Sequence, residues 1–252
     1  MLRAVRNFLA AYPTISCERR SNRTQPIGER LSGPDNGGST CTELVVPQAR
    51  DPFRLALETI RDRAMRGAYS PGGAIVILEE ARRLNLSTTP VREALAWLCG
   101  EGLLERAPRA GYLAPRLDAA LLRDRFWVRL RSVIASLELT ADLDIQPTPD
   151  GDADGDRAVR GLFDRLVRAT GNRALVETFH RVDAQLRMLG DAEARVFADV
   201  EAEALDLIRL EVAGSRRDLS TAIETYHRRR MDSAAILVLE VERRAPPPEV
   251  RS

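Results

Sequence analysis

The chain of 252 residues contains no lysine; all 38 of its basic residues are arginine. We read that as a bias toward GC-rich codons rather than as chemistry. Against 37 Asp and Glu the net charge is only +1, so no global field favours nucleic acid and any such attraction must be local. Cysteine is scarce. Cys17, Cys41 and Cys99 are odd in number and far apart, which excludes a disulfide framework and a zinc-binding spacing and fits a reducing compartment. No apolar run approaches the ~18 residues of a membrane span, so the expected location is cytoplasmic, with no membrane partner. No nucleophile–base pair, glycine-rich phosphate loop or metal-ligand set is visible, so an enzyme is not expected, nor is a cofactor. What the chain does have is ordinary globular composition, 44% apolar and 30% charged. Few aromatics (5%) and many Ala, Leu and Arg lean toward helix.

Four regions follow from composition and periodicity. Residues 1–50 are expected to be a disordered extension, because 17–42 are rich in Ser, Thr, Gly, Pro and Asn and cannot offset their ordering entropy by burial. Arg3 and Arg6 precede a short apolar patch interrupted by Asn7 and Pro13, a poor match to a signal peptide. Residues 51–116 read as helix 52–66 stopped by Gly67, a Pro71-Gly72-Gly73 turn, an apolar-periodic run over 75–84, and a helix over 88–99. That last helix has Ser87 as N-cap, Pro90 in its first turn and Val91, Leu95 and Leu98 facing inward. A strand–turn–strand follows over 103–114. Residues 117–244 are helical throughout, with helices expected over 118–143, 157–170, 174–189, 192–212 and 219–242. Residues 245–252 form a tail. Residues 52–117 hold ten arginines against seven carboxylates, whereas 118–252 hold 21 against 25. That asymmetry has the sign of a nucleic-acid reader joined to a neutral or acidic partner.

Helix, helix, turn, helix and hairpin make the winged helix-turn-helix plan, in which the third helix enters a major groove about 12 Å wide. The candidate contacts are Ser87, Thr88 and Thr89, whose hydroxyls and backbone N–H groups at a helix start suit phosphate, and Arg92, placed one turn in to reach guanine O6 and N7 or a phosphate. Arg109 at the hairpin tip, beside Gly111, is placed to touch a neighbouring groove or the backbone.

The run Ser87-Thr88-Thr89-Pro90-Val91-Arg92-Glu93-Ala94-Leu95, with Leu98, Glu101-Gly102-Leu103-Leu104 and Pro108-Arg109-Ala110-Gly111-Tyr112, resembles the DNA-binding domain of the GntR family of bacterial transcription regulators. The likeness covers about 55–113. It implies a sequence-specific regulator that binds double-stranded operator DNA as a homodimer. There are departures: Thr88 stands where the family usually has a DNA-contacting arginine, Asn85 replaces a usual glycine, and Ile77, Leu78 and Glu80 stand for a Glu, an Arg and a core Leu. Glu80 at a buried position is costly unless it finds a partner.

The helical remainder, with Thr170-Gly171-Asn172 and with Asp218 followed by Ala222, is similar to the FadR-type (FCD) effector domain. That resemblance implies an antiparallel helix bundle with a small-molecule pocket, so an effector, such as an organic acid, would bias the DNA-binding state. The alternative is an effector-independent DNA-binding dimer whose helical domain only dimerises. The metal set of that subfamily, one Asp and three His, does not carry over: Val159, Phe163, Leu207 and Arg229 occupy those positions, so no metal is expected. His180 with Asp183, and Glu224 with His227, have i,i+3 spacing but incomplete ligand sets. Asp150, Asp152, Asp154 and Gly155 mimic the start of a calcium loop, but position twelve is Gly161, and a solvated acidic loop is expected. Arg129, Arg131, Arg165 and Arg187 could face a carboxylate ligand or pair with acidic neighbours on a helix face. Phe126 and Trp127 are expected in the bundle core or a dimer seam.

Overall fold

Asp51 opens the first helix: its carboxylate accepts a hydrogen bond from the backbone N–H of Phe53 at 3.0 Å, capping α1 (Pro52–Met65), whose N1 proline gives up no needed donor. The computed structural model describes residues 51–108, 111–142, 155–213 and 215–244. The expected N-terminal extension, the C-terminal tail, Arg109 and most of the acidic loop lie outside them.

Gly67 and Gly72 take positive φ (+68° and +72°) and reverse the chain after α1. A short strand β1 (Ala74–Ile75) then leads into α2 (Ile77–Leu84). The sequence reading put Ile75 in a helix; two strand residues are too few to show an alternating pattern, and Ile75 instead pairs with Tyr112. Asn85 ends α2 at φ +54°, a left-handed cap that Asn tolerates better than other non-glycine residues, which explains how it can replace the usual glycine. Helix α3 (Thr88–Gly100) buries Val91, Ala94, Leu95 and Leu98 against α1. Gly100 is still helical; the chain turns at Gly102 (φ +72°). Strands β2 (Glu105–Arg106) and β3 (Tyr112–Leu113) pair antiparallel, and β1 joins the other edge of β3, giving the order β1-β3-β2.

The mostly helical C-terminal region begins at α4 (Ala119–Leu139), capped by the Asp118 carboxylate on the Ala120 N–H at 2.7 Å. It continues through α5 (Gly155–Ala169), α6 (Arg173–Leu186), a 3-10 turn (Arg187–Leu189), α7 (Gly190–Val196), α8 (Val200–Ala213), α9 (Arg216–Asp232) and α10 (Ala234–Arg244). Two helices expected as single pieces are therefore two each. The chain leaves helix at Phe197, with φ −113° and ψ 104°, and bends again at Ser233. Apolar residues continue at helical spacing across both breaks, so periodicity does not mark them. Gly161 lies inside α5, so its segment is a regular helix and not the twelfth position of a calcium loop.

Helix α4 packs on α6 and α9, and α5 on α8. Leu130, Val133, Leu162, Phe163, Leu207 and Ile223 are among the side chains of the main core. Trp127 is 56% exposed while Phe126 is fully buried, so only the phenylalanine belongs to the core of this chain. No helix among the described residues is long and apolar enough to cross a membrane.

Candidate nucleic-acid interface

The start of α3 is open. Ser87 sits at the N-cap in extended conformation (φ −69°, ψ 164°), but its hydroxyl makes no capping bond. Thr88, Thr89 and Arg92 are exposed on the first turn, and Pro90 contributes no N–H. The first-turn N–H groups and three hydroxyls thus face outward without helical partners, the arrangement an oxyanion of a nucleic-acid backbone would satisfy. The Arg92 guanidinium forms no hydrogen bond or ion pair among the described residues.

The wing is tied to this helix. The buried Tyr112 of β3 donates its hydroxyl proton to the Arg92 carbonyl at 3.2 Å, and the Arg106 guanidinium of β2 lies 5.9 Å from the Tyr112 ring centroid. Arg106 is exposed and adds a cation that sequence reasoning did not select. Its only sequence signal was its place in the predicted first wing strand. The hairpin closes through Ala107 N–H on the Gly111 carbonyl at 3.1 Å, with Gly111 at φ +129°. Gly111 therefore provides a backbone conformation that side-chain-bearing residues rarely adopt. Arg109 lies outside the described residues.

Glu80 does find partners. It is 4% exposed, and its carboxylate lies 3.5 Å from Arg63 Nε and 3.7 Å from Arg83 Nε. Arg63 also donates to the Tyr69 hydroxyl at 3.2 Å, and burial pushes that phenol up to about 12. The charge at a nominal core position is thus faced by cations from α1 and from its own helix, although Oε2 accepts no hydrogen bond among the described residues.

The helical region holds its own polar interior. Arg129 of α4 is buried and donates from Nη1 to Asp183 at 3.3 Å and from Nε to His227 Nε2 at 3.2 Å; its Nη2 has no hydrogen-bond partner among the described residues. Phe126, Phe163 and Tyr226 surround the guanidinium at 5.2–5.8 Å. Arg187 reaches the other Asp183 oxygen at 3.7 Å, Arg165 pairs with Glu211 at 2.7 Å, and Arg131 is exposed. His180 meets Asp164 at 2.6 Å on the neighbouring helix, and no group of three or more metal-capable side chains occurs among the described residues. Val159, Phe163 and Leu207 are buried in the apolar core, where none could bind a metal.

His227 donates from Nδ1 to the Ile223 carbonyl at 2.8 Å. Burial, then the charges of Arg129 and Arg230, hold its imidazole well below the ordinary 6.5. The unfolded chain therefore binds this proton at a pH where the folded chain refuses it. Folding stability should fall as pH drops below about 6.5, with a slope approaching 1.4 kcal/mol per unit. Urea melts between pH 7.5 and 5 should show that fall, and His227→Gln should flatten it; an equal slope in the variant would refute the assignment.

An N-terminal winged helix-turn-helix joined to a helical region is the architecture these elements define. Residues 55–113 match the model for bacterial regulatory proteins, gntR family. The chain is 35% identical over 86 residues to an uncharacterized HTH-type transcriptional regulator in an unstable DNA locus of Streptomyces ambofaciens, a match covering 34% of this chain and 36% of that protein. It thus spans about a third of the length of the curated relative it matches. Among solved structures, E. coli McbR/YncC aligns with a TM-score of 0.53 at 19% identity, over 75% of this chain and 98% of that one. A Rhodococcus sp. RHA1 protein described as a transcriptional regulator GntR aligns with a TM-score of 0.56 at 17% identity, over 74% and 97%. At such identity these two establish the fold. The chain carries a GntR-family helix-turn-helix domain, and the matched family and relatives are transcriptional regulators, not enzymes.

Proposed function

We propose that this protein is a GntR-family transcription regulator that binds double-stranded operator DNA through the start of α3, as a homodimer on a two-fold site, in the cytoplasm. The observation that carries the reading is the open first turn of α3, with Arg92 unpaired among the described residues and the hydroxyls of Ser87, Thr88 and Thr89, braced by Tyr112 of the wing. Arg109 is assigned to the wing contact, and Gly111 shapes the turn that presents it. Thr88 offers a hydroxyl where the family has an arginine, so Arg92 carries a larger share of the base contact. The helical region is assigned to the FadR type, dimerising and responding to a small-molecule effector, with an organic acid as the expected class. A second reading, in which this region only dimerises, draws support from the buried Val159, Phe163 and Leu207 at the expected metal positions.

An electrophoretic shift with the DNA flanking its own gene tests the proposal. Binding should weaken as salt rises. Arg92→Ala should lose about 1–3 kcal/mol, roughly 5- to 150-fold in affinity. Absence of salt-sensitive binding, or full affinity in the variant, would overturn it.

A further inference from the structure

A shallow, open cleft of about 830 Å³ lies between the end of α3, the first wing strand and the helical region, lined by Gly100, Glu105, Arg106, Arg125 and Gln185 among others. A smaller cavity of about 20 Å³, room for a water, shares Gly102, Leu104, Arg125 and Gln185 with it. Arg125 of α4 is half-buried, and burial holds its guanidinium below the ordinary arginine value, with the charge of Glu105 pulling the other way. Among the described residues it has no hydrogen bond and no ion pair. Arg129, Arg160, Arg165, Arg229 and Arg230, the other buried or half-buried arginines that face acidic neighbours in this region, each hold a carboxylate. Glu105, which lines the same cleft, acts on the partly desolvated Arg125 cation but makes no ion pair with it among the described residues, which leaves room for an anion from solution to compensate it directly. Arg106, exposed on β2, lines the same space and supplies a second guanidinium.

We propose that this cleft binds a small oxyanion, a carboxylate or a phosphate, held between Arg125 and Arg106, and that occupancy lowers affinity for DNA. The anion bridges the helical region to the wing: Arg125 belongs to α4, Arg106 to the strand beside Tyr112. It therefore draws an exposed wing cation inward and fixes the wing against the helices. The effect on DNA rests on the operator-binding reading; the anion site itself does not.

The test uses the full chain with citrate and with inorganic phosphate as probes, at ionic strength matched by chloride. At tenfold excess over its Kd, a binding probe should raise Tm by roughly 3–5 °C, and Tm should go on rising with the logarithm of probe concentration. A response to one probe alone identifies the oxyanion class and supports the site. Arg125→Gln should abolish the response, Arg106→Gln should weaken it, and Arg131→Gln, exposed on the same helix, should leave it intact. Gly100→Glu is an independent check: a Cβ there meets nothing within 4 Å, so the fold is kept while a second carboxylate joins Glu105 in the cleft, and the response should vanish. No rise in Tm with either probe beyond that of matched chloride, or a full shift in Arg125→Gln, overturns the site. With operator DNA, saturating anion should lower affinity about fivefold in the parent and not in Arg125→Gln. Unchanged DNA affinity in the parent overturns the regulatory part. Failure to bind DNA with the anion response intact would instead defeat the operator reading and leave the site standing.

Discussion

Arg230→Ala is expected to destabilise the protein by about 3–5 kcal/mol, enough to lower Tm by roughly 10 °C. Arg230 is fully buried in α9 and pairs with Glu193 of α7 at 2.6 Å and Glu203 of α8 at 2.9 Å. Its guanidinium carbon stands 3.3 Å from the Tyr226 ring centroid. Burial works against the charge, but Tyr226, Glu193 and Glu203 outweigh it and hold the guanidinium above its ordinary value. Truncation leaves the buried Glu193 carboxylate facing an empty space and Glu203 with only Arg229, at 3.6 Å, and the cost of the orphaned Glu193 charge exceeds the loss of the pair itself. Arg230→Lys should recover little, because an ammonium cannot reach both carboxylates with a planar fork while stacking on the ring. Arg230→Met combined with Glu193→Gln and Glu203→Gln should recover most of the loss. Equal thermal melts for the alanine variant and the parent would show that this triad is not what joins α7, α8 and α9.

Leu98→Ala should cost about 2–5 kcal/mol by opening a cavity in the winged-helix core. Leu98 is fully buried and sits where α3 ends; its carbonyl receives the Leu103 N–H at 3.0 Å and the Leu104 N–H at 3.3 Å. The same residue thus seats the recognition helix and anchors the turn into the wing. Tm should fall, and DNA binding in a shift assay should fall with it at temperatures well below the melt of the helical region. A variant that melts with the parent would mean that the site collapses around the smaller side chain.

The DNA-reading part of the molecule could be read from residues because its signals are local. Ser87, Pro90 and the 91/95/98 spacing mark one helix, and Gly102 and Gly111 mark two turns that need unusual backbone. The breaks at Phe197 and Ser233 have no local signal, because no proline or glycine stands at either place. The partners of Glu80 were equally hidden: Arg83 is near in sequence, but Arg63 comes from another helix. Arg125 and Arg106 lie nineteen positions apart on elements of different type, so no periodicity links them; their shared cleft exists only once α4 has packed beside the wing.

Gln185 gives one more consequence. Its side-chain amide donates to the carbonyls of Glu101 and Gly102 at 3.3 and 3.2 Å, where the chain leaves α3 for the wing. Both contacts are between uncharged dipoles, which counterions screen far less than they screen a guanidinium facing a phosphate. The posture of the reading head on its helical support should therefore be the same in dilute and in concentrated electrolyte, even as its grip on a duplex slackens.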